Sequence, residues 1–251
     1  MTTRWIGTSW KMNKTLAESR AYARGLRERL GGEAPEGVRP FVIPSFTSLA
    51  AVAQELGPDS PVLVGAQNAH WEEAGAWTGE VSMAQVADAG AGLVEIGHSE
   101  RREHFGETVE TTRWKVAAAL EHGLTPLLCI GEDAQTLGAG RSAVFIRGQA
   151  AGALEGLAPE QLARVLIAYE PIWAIGSAGR PATVEELTTP FERLEAEYGG
   201  RIAGLLYGGS VNLGNARELL GIDGVDGLFV GRTAWELEGY LRLLELAAGQ
   251  D

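Results

Sequence analysis

The sequence VLIAYEPIWAIG spans residues 165–176 and joins a strand, an acid and a loop. Its first four residues are branched or small and apolar, which is typical of a short buried strand. Glu170 stands at the end of that strand, and Pro171 then starts an apolar loop that closes at Gly176. Carboxylates are rarely buried alone, so Glu170 is either paired with a structural arginine or kept as a desolvated base. This segment by itself leaves both interpretations open.

Seven further short apolar runs, each bounded by turn residues, accompany this strand. The eight predicted strands are residues 5–7, 41–43, 62–65, 93–96, 126–130, 165–168, 204–207 and 227–230. Stretches with helical spacing, such as 16–30, 113–122 and 184–198, lie between them. Eight alternations predict a (β/α)8 TIM barrel, because an open doubly wound sheet normally has about five or six strands. We expect an α/β fold with residues 1–251 in one domain.

Composition and charge argue against several classes of protein. The 251 residues carry a formal charge of −12, which disfavours binding to nucleic acid or to anionic lipid. The chain begins without a secretory signal pattern and has no apolar run of about 18 residues, so we expect a cytoplasmic protein with no membrane partner. Cys129 is the one cysteine and lies in an apolar run, where we expect a buried structural thiol.

The carboxyl ends of barrel strands are where the chemistry of this fold is found. The polar residues at these ends are Ser9, Lys11, Gln67, Asn68, His98, Glu100, Glu132, Glu170, Ser210 and Arg232. Lys11 is a weak signal on its own, since most lysines are solvated. His98 is stronger, because we expect Ser99 to cap a helix whose positive end favours a neutral imidazole. Such a histidine donates a hydrogen bond to a carbonyl without losing a full proton.

Glycine-bearing turns follow the last three predicted strands, at Gly176, before Ser210 and at Gly231-Arg232. Backbone N–H groups in such turns bind anions, and barrels commonly hold phosphate after strands seven and eight. Each turn alone has an ordinary explanation as a loop. Their placement on one rim, together with a base and an electrophile, indicates a phosphate site.

Other chemistries use the same residue types. The histidines, His70, His98, His104 and His122, form no closely spaced ligand motif, so we expect neither a metal nor another cofactor. A Schiff-base aldolase that uses Lys11 is the rival enzyme, although it gives Glu170 and His98 no role. A noncatalytic binding barrel is a further alternative, against which the presence of a base argues.

The chain resembles the triose-phosphate isomerase family over essentially its whole length. The similar segments are residues 10–13 (WKMN), 65–68 (GAQN), 97–102 (GHSERR), 168–171 (AYEP), 173–176 (WAIG) and 207–211 (YGGSV). The resemblance implies Glu170 as the base, His98 as electrophile and proton shuttle, and Lys11 as the cation near the oxyanion, which is the scheme of that family. It also implies a supporting Glu100, a closing lid at 172–179, and a homodimer through segment 75–82.

Departures from the family pattern cluster around the predicted pocket. Ser9 replaces the usual asparagine, residues 177–181 replace a threonine-glycine-lysine stretch, and Arg232 replaces a glycine. These changes resemble the branch of the family that acts on L-erythrulose 1-phosphate. Ser9 is shorter than asparagine and leaves space for one added CH2OH group. The resemblance thus implies isomerisation of L-erythrulose 1-phosphate to D-erythrulose 4-phosphate, with interconversion of glyceraldehyde 3-phosphate and dihydroxyacetone phosphate in glycolysis as the alternative.

Overall fold

The computed structural model of the chain describes residues 3–176 and 179–249. Eight parallel strands pair in sequence order, and β8 returns to β1 to close a barrel. The strands are β1 Arg4–Ser9, β2 Val38–Ile43, β3 Leu63–Ala66, β4 Leu93–Ile96, β5 Thr125–Ile130, β6 Leu166–Tyr169, β7 Gly204–Gly209 and β8 Gly227–Val230. All eight predicted strands and the (β/α)8 fold are confirmed. Residues 177 and 178, within the predicted lid, lie outside the described residues.

Helices cover the outside of the barrel. They are α1 Leu16–Leu30, α2 Phe46–Leu56, α3 Met83–Asp88, α4 Ser99–Phe105, α5 Val109–Glu121, α6 Ala134–Gly138, α7 Ser142–Ala153, α8 Pro159–Leu162, α9 Val184–Tyr198, α10 Ala216–Leu219 and α11 Leu237–Ala247. The predicted bounds of α1 and α9 are confirmed. Helix α5 begins before the predicted residue 113, because the side chain of Thr108 accepts the Thr111 N–H and caps it there. In the described part of the chain, no helix has the length and apolarity needed to cross a membrane.

The interior of the barrel is filled by side chains from alternate strand positions. Those packed there are Trp5, Phe41, Ile43, Leu93, Leu127, Cys129, Leu166, Ala168, Leu206 and Phe229. Gly7 is required on β1, since a Cβ at this position would lie 2.0 Å from the ring of Phe41. Cys129 is buried as predicted, and burial raises the pKa of its thiol, which makes it a poor nucleophile.

The strand register brings the functional ends to one rim. Ser9 pairs with Ile43, and Tyr169 pairs with Tyr207, so that Glu170 comes beside Gly208. Polar residues that are far apart in the sequence therefore meet at the carboxyl end of the barrel.

Candidate active site

A cavity of about 480 Å³ opens at the carboxyl ends of the strands. The predicted site residues that line it are Ser9, Lys11, His98, Glu100, Glu170, Gly176, Ser210, Gly231 and Arg232. The structure therefore brings together every residue that the sequence analysis assigned to catalysis or to substrate binding. Gln67, Asn68 and Glu132, which also stand at strand ends, are not among the lining residues.

Glu170 follows β6 and is only 6% exposed. Its backbone N–H donates to the carbonyl of Ile130 at 2.7 Å. Two glycines make space for it: a Cβ on Gly208 would lie 2.6 Å from Glu170 Cγ, and one on Gly131 would lie 1.9 Å from its carbonyl oxygen. Within the described residues, Oε2 of Glu170 has no hydrogen-bond partner. Glu170 thus lines the cavity with one buried and unpaired carboxylate oxygen, as expected of a desolvated general base.

His98 stands opposite this carboxylate, with Nε2 3.9 Å from Glu170 Oε2. Helix α4 begins at Ser99, and the prediction that Ser99 caps it is wrong. His98 is the capping residue, because its Nδ1 accepts the backbone N–H of Glu100 at 3.2 Å. An Nδ1 that accepts carries no proton, so the neutral ring bears its proton on Nε2, the atom that points at the cavity. This hydrogen bond supports the neutral imidazole that the sequence predicted, which stays a prediction.

Arg102 fixes the loop that carries His98. Its Nε donates to the carbonyl of Gly97 at 2.7 Å, and its Nη2 donates to the carbonyl of Cys129 at 3.2 Å. Gly97 has a φ of 77°, and a Cβ there would lie 2.5 Å from Arg102 Nη2. The glycine before the histidine is therefore required both by its backbone conformation and by the packing of Arg102.

Glu107 also holds the loop that carries His98, and the sequence analysis did not identify this residue. Its Oε1 accepts the Gly97 N–H at 2.7 Å, while its Oε2 accepts from Arg101 Nε and from Lys115 Nζ, each at 2.9 Å. Lys115 also donates to Asn68 at 2.7 Å. Burial opposes the ionisation of Glu107, but the charge and hydrogen bonds of Lys115 and Arg101 outweigh it and lower the Glu107 pKa. Asn68, predicted at the rim, is thus part of the support for the His98 loop.

Lys11 enters the cavity from the loop after β1, with its backbone in the left-handed region at a φ of 52°. Its Nζ donates to Glu100 Oε1 at 2.7 Å, and Gln67 Nε2 donates to its carbonyl oxygen at 2.8 Å. Burial lowers the Lys11 pKa, but the hydrogen bond to Glu100 and the charge of Glu170 outweigh burial and raise it. The amine therefore stays protonated and supplies a fixed positive charge.

The other end of the cavity is formed by Gly176, Ser210, Gly231 and Arg232. Ser210 Oγ donates to the carbonyl of Ala174 at 2.8 Å, and Arg232 Nη2 donates to the carbonyl of Gly176 at 3.3 Å. The sequence analysis predicted that the glycines before Ser210 form a turn, and this is wrong. They are the last residues of β7 and pair with residues of β8. Both contacts tie the loop after β6 to the loops after β7 and β8.

Glu132 lies behind the cavity wall and anchors the start of the loop after β6. Its Oε1 accepts from the Tyr169 hydroxyl at 3.1 Å and from Trp173 Nε1 at 2.9 Å. Its backbone carbonyl accepts the N–H of Ile172, the first residue of a 3-10 turn, Ile172–Ala174. The sequence suggested a rim residue here, but the carboxylate instead holds the loop to β6.

Glu95 is an acid inside the barrel that the sequence analysis read as part of an apolar run. It is 3% exposed and shares the inward face of β4 with Leu93, two positions away. Burial, with a smaller effect from Glu170, raises the Glu95 pKa to about 7, against the opposing effects of His98, a Ser9 hydrogen bond and Lys11. The strict alternation of inward positions on a barrel strand was the signal that could have identified it.

Among the described residues, no group of three or more His, Cys, Asp or Glu side chains is arranged to hold a metal ion.

Comparison of the sequence with known proteins relates the chain to sugar-phosphate isomerases. The sequence model described as triosephosphate isomerase matches residues 4–247. A protein of Mycolicibacterium smegmatis named L-erythrulose-1-phosphate isomerase is 72% identical over 97% of this chain and 93% of its own. Proteins of the same name from Rhizobium etli and Brucella abortus are 52% and 49% identical, covering 96% and 99% of this chain and 91% and 98% of theirs.

Proposed function

The chain belongs to the triosephosphate isomerase family, and we propose that it converts L-erythrulose 1-phosphate to D-erythrulose 4-phosphate. The protein is a sugar-phosphate isomerase. The assignment of the substrate rests on one observation: relatives at 72%, 52% and 49% identity, aligned over nearly the full length, share one name. That favours the four-carbon ketose over glyceraldehyde 3-phosphate and dihydroxyacetone phosphate, which remain the alternative.

The reaction moves the carbonyl from C2 to C3 through an enediolate. Glu170 takes the proton from C3, and the electron pair of that C–H bond forms the C2–C3 double bond. His98 donates from Nε2 to the C2 oxygen as negative charge develops there, then carries a proton between the two oxygens. Return of the proton to C2 completes the transfer. The 3.9 Å between Nε2 and Oε2 supports this assignment, because both groups reach adjacent carbons of one substrate.

Lys11 neutralises the developing oxyanion. Its raised pKa keeps the amine protonated, which suits electrostatic stabilisation and opposes the free amine that a Schiff-base aldolase needs. Glu100 holds that amine at 2.7 Å. The Schiff-base alternative is therefore disfavoured by the same contact that supports the isomerase.

The phosphate of the substrate binds at the opposite end of the cavity, at Gly176, Ser210 and Gly231-Arg232. Backbone N–H groups and the Arg232 guanidinium are the donors available there. Because the chain carries a charge of −12, these local donors oppose an unfavourable overall field. Phosphate binding then closes the loop after β6 over the reacting carbons, which excludes water from the enediolate.

Residues 1–251 act as one domain, and two such chains form a homodimer through segment 75–82. Trp77 in this segment is 48% exposed and Met12 is 97% exposed, which leaves apolar surface for a partner subunit to cover. The strongly negative charge opposes binding to nucleic acid or to a membrane surface. A cytoplasmic location suits an enzyme with one buried, unpaired cysteine.

Turnover of the two phosphorylated ketoses by the same preparation tests the substrate. We expect a higher kcat/KM for L-erythrulose 1-phosphate than for dihydroxyacetone phosphate. Glu170→Gln, purified in the same way, controls for contaminating isomerase. Efficient turnover of the three-carbon substrate with no activity on the four-carbon ketose would reject the proposed substrate and leave the isomerase class intact.

A further inference from the structure

Glu95 is a buried carboxyl group inside the barrel, close enough to His98 and Glu170 for their charges to affect its pKa, and the mechanism gives it no role. Its Oε2 atom has no hydrogen-bond partner in the described part of the chain. Leaving a buried carboxyl oxygen unpaired costs free energy, and an apolar residue would fill an inward barrel position without that cost. A residue that carries such a cost is a candidate for a function.

Ser9 connects Glu95 to the cavity. It lines the cavity, is 4% exposed, and lies close enough to Glu95 for hydrogen bonding by its hydroxyl to lower the pKa of that carboxyl against the effect of burial. The backbone of Ser9 is also fixed, since Trp235 Nε1 donates to its carbonyl at 2.9 Å. A serine hydroxyl has one proton to donate and two lone pairs. When that proton goes to an ionised Glu95, only lone pairs remain for a group in the cavity.

We propose that Glu95 is a positioning residue that turns the Ser9 hydroxyl into an acceptor for the terminal hydroxyl of a four-carbon substrate. The inference rests on the proposed function and explains its selectivity. L-erythrulose 1-phosphate carries a CH2OH group where dihydroxyacetone phosphate has only hydrogen. Its hydroxyl donates to Ser9, which donates to Glu95, and a chain that ends on a charge is stronger than an isolated neutral hydrogen bond. The three-carbon substrate has no donor for this chain.

Ionisation of Glu95 makes the selectivity depend on pH. The raised pKa, about 7, means that Glu95 is ionised above this pH and protonated below it. A protonated Glu95 accepts more weakly from Ser9, so the advantage of the four-carbon substrate declines as the pH falls through about 7. The titratable or polar groups that face Glu95 are Ser9 and Lys11 from β1 and its loop, His98 after β4, Cys129 on β5 and Glu170 after β6. In the ratio of kcat/KM for the two substrates, the effects of groups whose ionisation influences both reactions equally cancel.

The test is the ratio of kcat/KM for L-erythrulose 1-phosphate to kcat/KM for dihydroxyacetone phosphate. Ser9→Ala and Glu95→Leu should each lower this ratio about 10-fold, within the range typical of one small polar group. The double variant should lower it no further, because both changes break the same chain. Singles whose effects multiply, or a Glu95→Leu ratio equal to that of wild type, would overturn the proposal.

Glu95→Gln separates positioning from structural support. Glutamine keeps the shape and an acceptor oxygen for Ser9, so the protein should fold, but the ratio should fall and lose its dependence on pH. The matched control is Asp226→Asn, which changes another carboxyl whose pKa is raised by burial, and which accepts the Leu205 N–H far from the cavity. It should leave the ratio unchanged at every pH. A wild-type ratio that is flat across pH 6 to 8 (about one unit either side of 7) would reject the switch, whereas wild-type inactivity on L-erythrulose 1-phosphate would reject the proposed function itself.

Discussion

Glu170 and His98 lie opposite each other in the cavity, with Oε2 and Nε2 3.9 Å apart, although they are 72 positions apart in the sequence. Each is fixed by different neighbours. The Glu170 backbone is hydrogen-bonded to β5, and His98 caps the helix that follows it. Because neither side chain holds the other directly, the gap between them remains available to the reacting carbons.

Shortening the base should therefore slow the reaction with little effect on the fold. Glu170→Asp withdraws the carboxylate by about one methylene, and misplacement of this order costs about 100-fold in rate. We expect kcat to fall by that factor while KM changes little. Steady-state kinetics and a thermal melt measure both effects. Turnover within a few-fold of wild type would remove Glu170 from the role of base.

Gly208 offers a way to move the same carboxylate without changing it. A Cβ at this position would lie 2.6 Å from Glu170 Cγ, so Gly208→Ala should push the side chain away from His98. We expect kcat to fall about 100-fold, the loss associated with misplacement by about 1 Å. Gly148→Ala is the control, because Gly148 lies on the exposed face of α7 with open space around its position. The prediction is wrong if both variants retain wild-type kcat.

The buried network below the His98 loop should contribute to stability. In Glu107→Gln the side chain remains nearly the same size, but Lys115 keeps a buried charge without a counterion, which costs about 3 to 5 kcal/mol. The lowered pKa of Glu107 gives the sign of the pH effect: its stabilisation is present above the unfolded pKa and lost as the pH falls through the folded one. Urea unfolding of wild type and variant should therefore differ at pH 7 and converge in acid. A constant difference down to about pH 2 would contradict this account.

The sequence predicted the barrel because its two periods are visible locally. Short apolar runs and helical spacing alternate along the chain, and each run can be recognised without reference to distant residues. Family membership was likewise predictable from ordered motifs such as residues 97–102, and the comparisons confirm it. The catalytic assignments of Glu170, His98 and Lys11 stay predictions that the geometry supports.

What the sequence could not predict depends on contacts between distant segments. Ser99 was expected to cap α4, but the histidine before it has an acceptor atom that reaches the same N–H group. Glu95 was counted as one residue of an apolar strand. Its proposed role depends on Ser9, which lies on β1, and β1 is not adjacent to β4 in the barrel. Glu107 was missed because its partners, Gly97 and Lys115, are brought together only by the fold.

Phosphate recognition should appear in both inhibition and turnover. If the Gly176, Ser210 and Gly231-Arg232 end binds the phosphate, inorganic phosphate and sulfate should inhibit competitively. L-erythrulose without its phosphate should lose kcat as well as binding, since binding of the remote phosphate contributes to closing the lid. Arg232→Gly, which introduces the residue usual in the family, separates the guanidinium from the backbone donors. Equal kcat on the phosphate-free ketose would exclude this end of the cavity from the mechanism.

Ser9→Asn tests the volume of the cavity rather than the polarity of Ser9. Asparagine adds two heavy atoms at a buried wall position, in the space where the proposal places the terminal CH2OH group of the four-carbon substrate. Its amide can still donate to Glu95, so a loss of selectivity reports mainly on space. We expect kcat/KM for L-erythrulose 1-phosphate to fall about 10-fold more than that for dihydroxyacetone phosphate, as is typical when a pocket discriminates by one small group. Ser9→Ala removes the hydroxyl and enlarges the cavity, so a size effect alone would spare the longer substrate in that variant. Equal losses on both substrates in Ser9→Asn would mean that Ser9 does not border the terminal carbon.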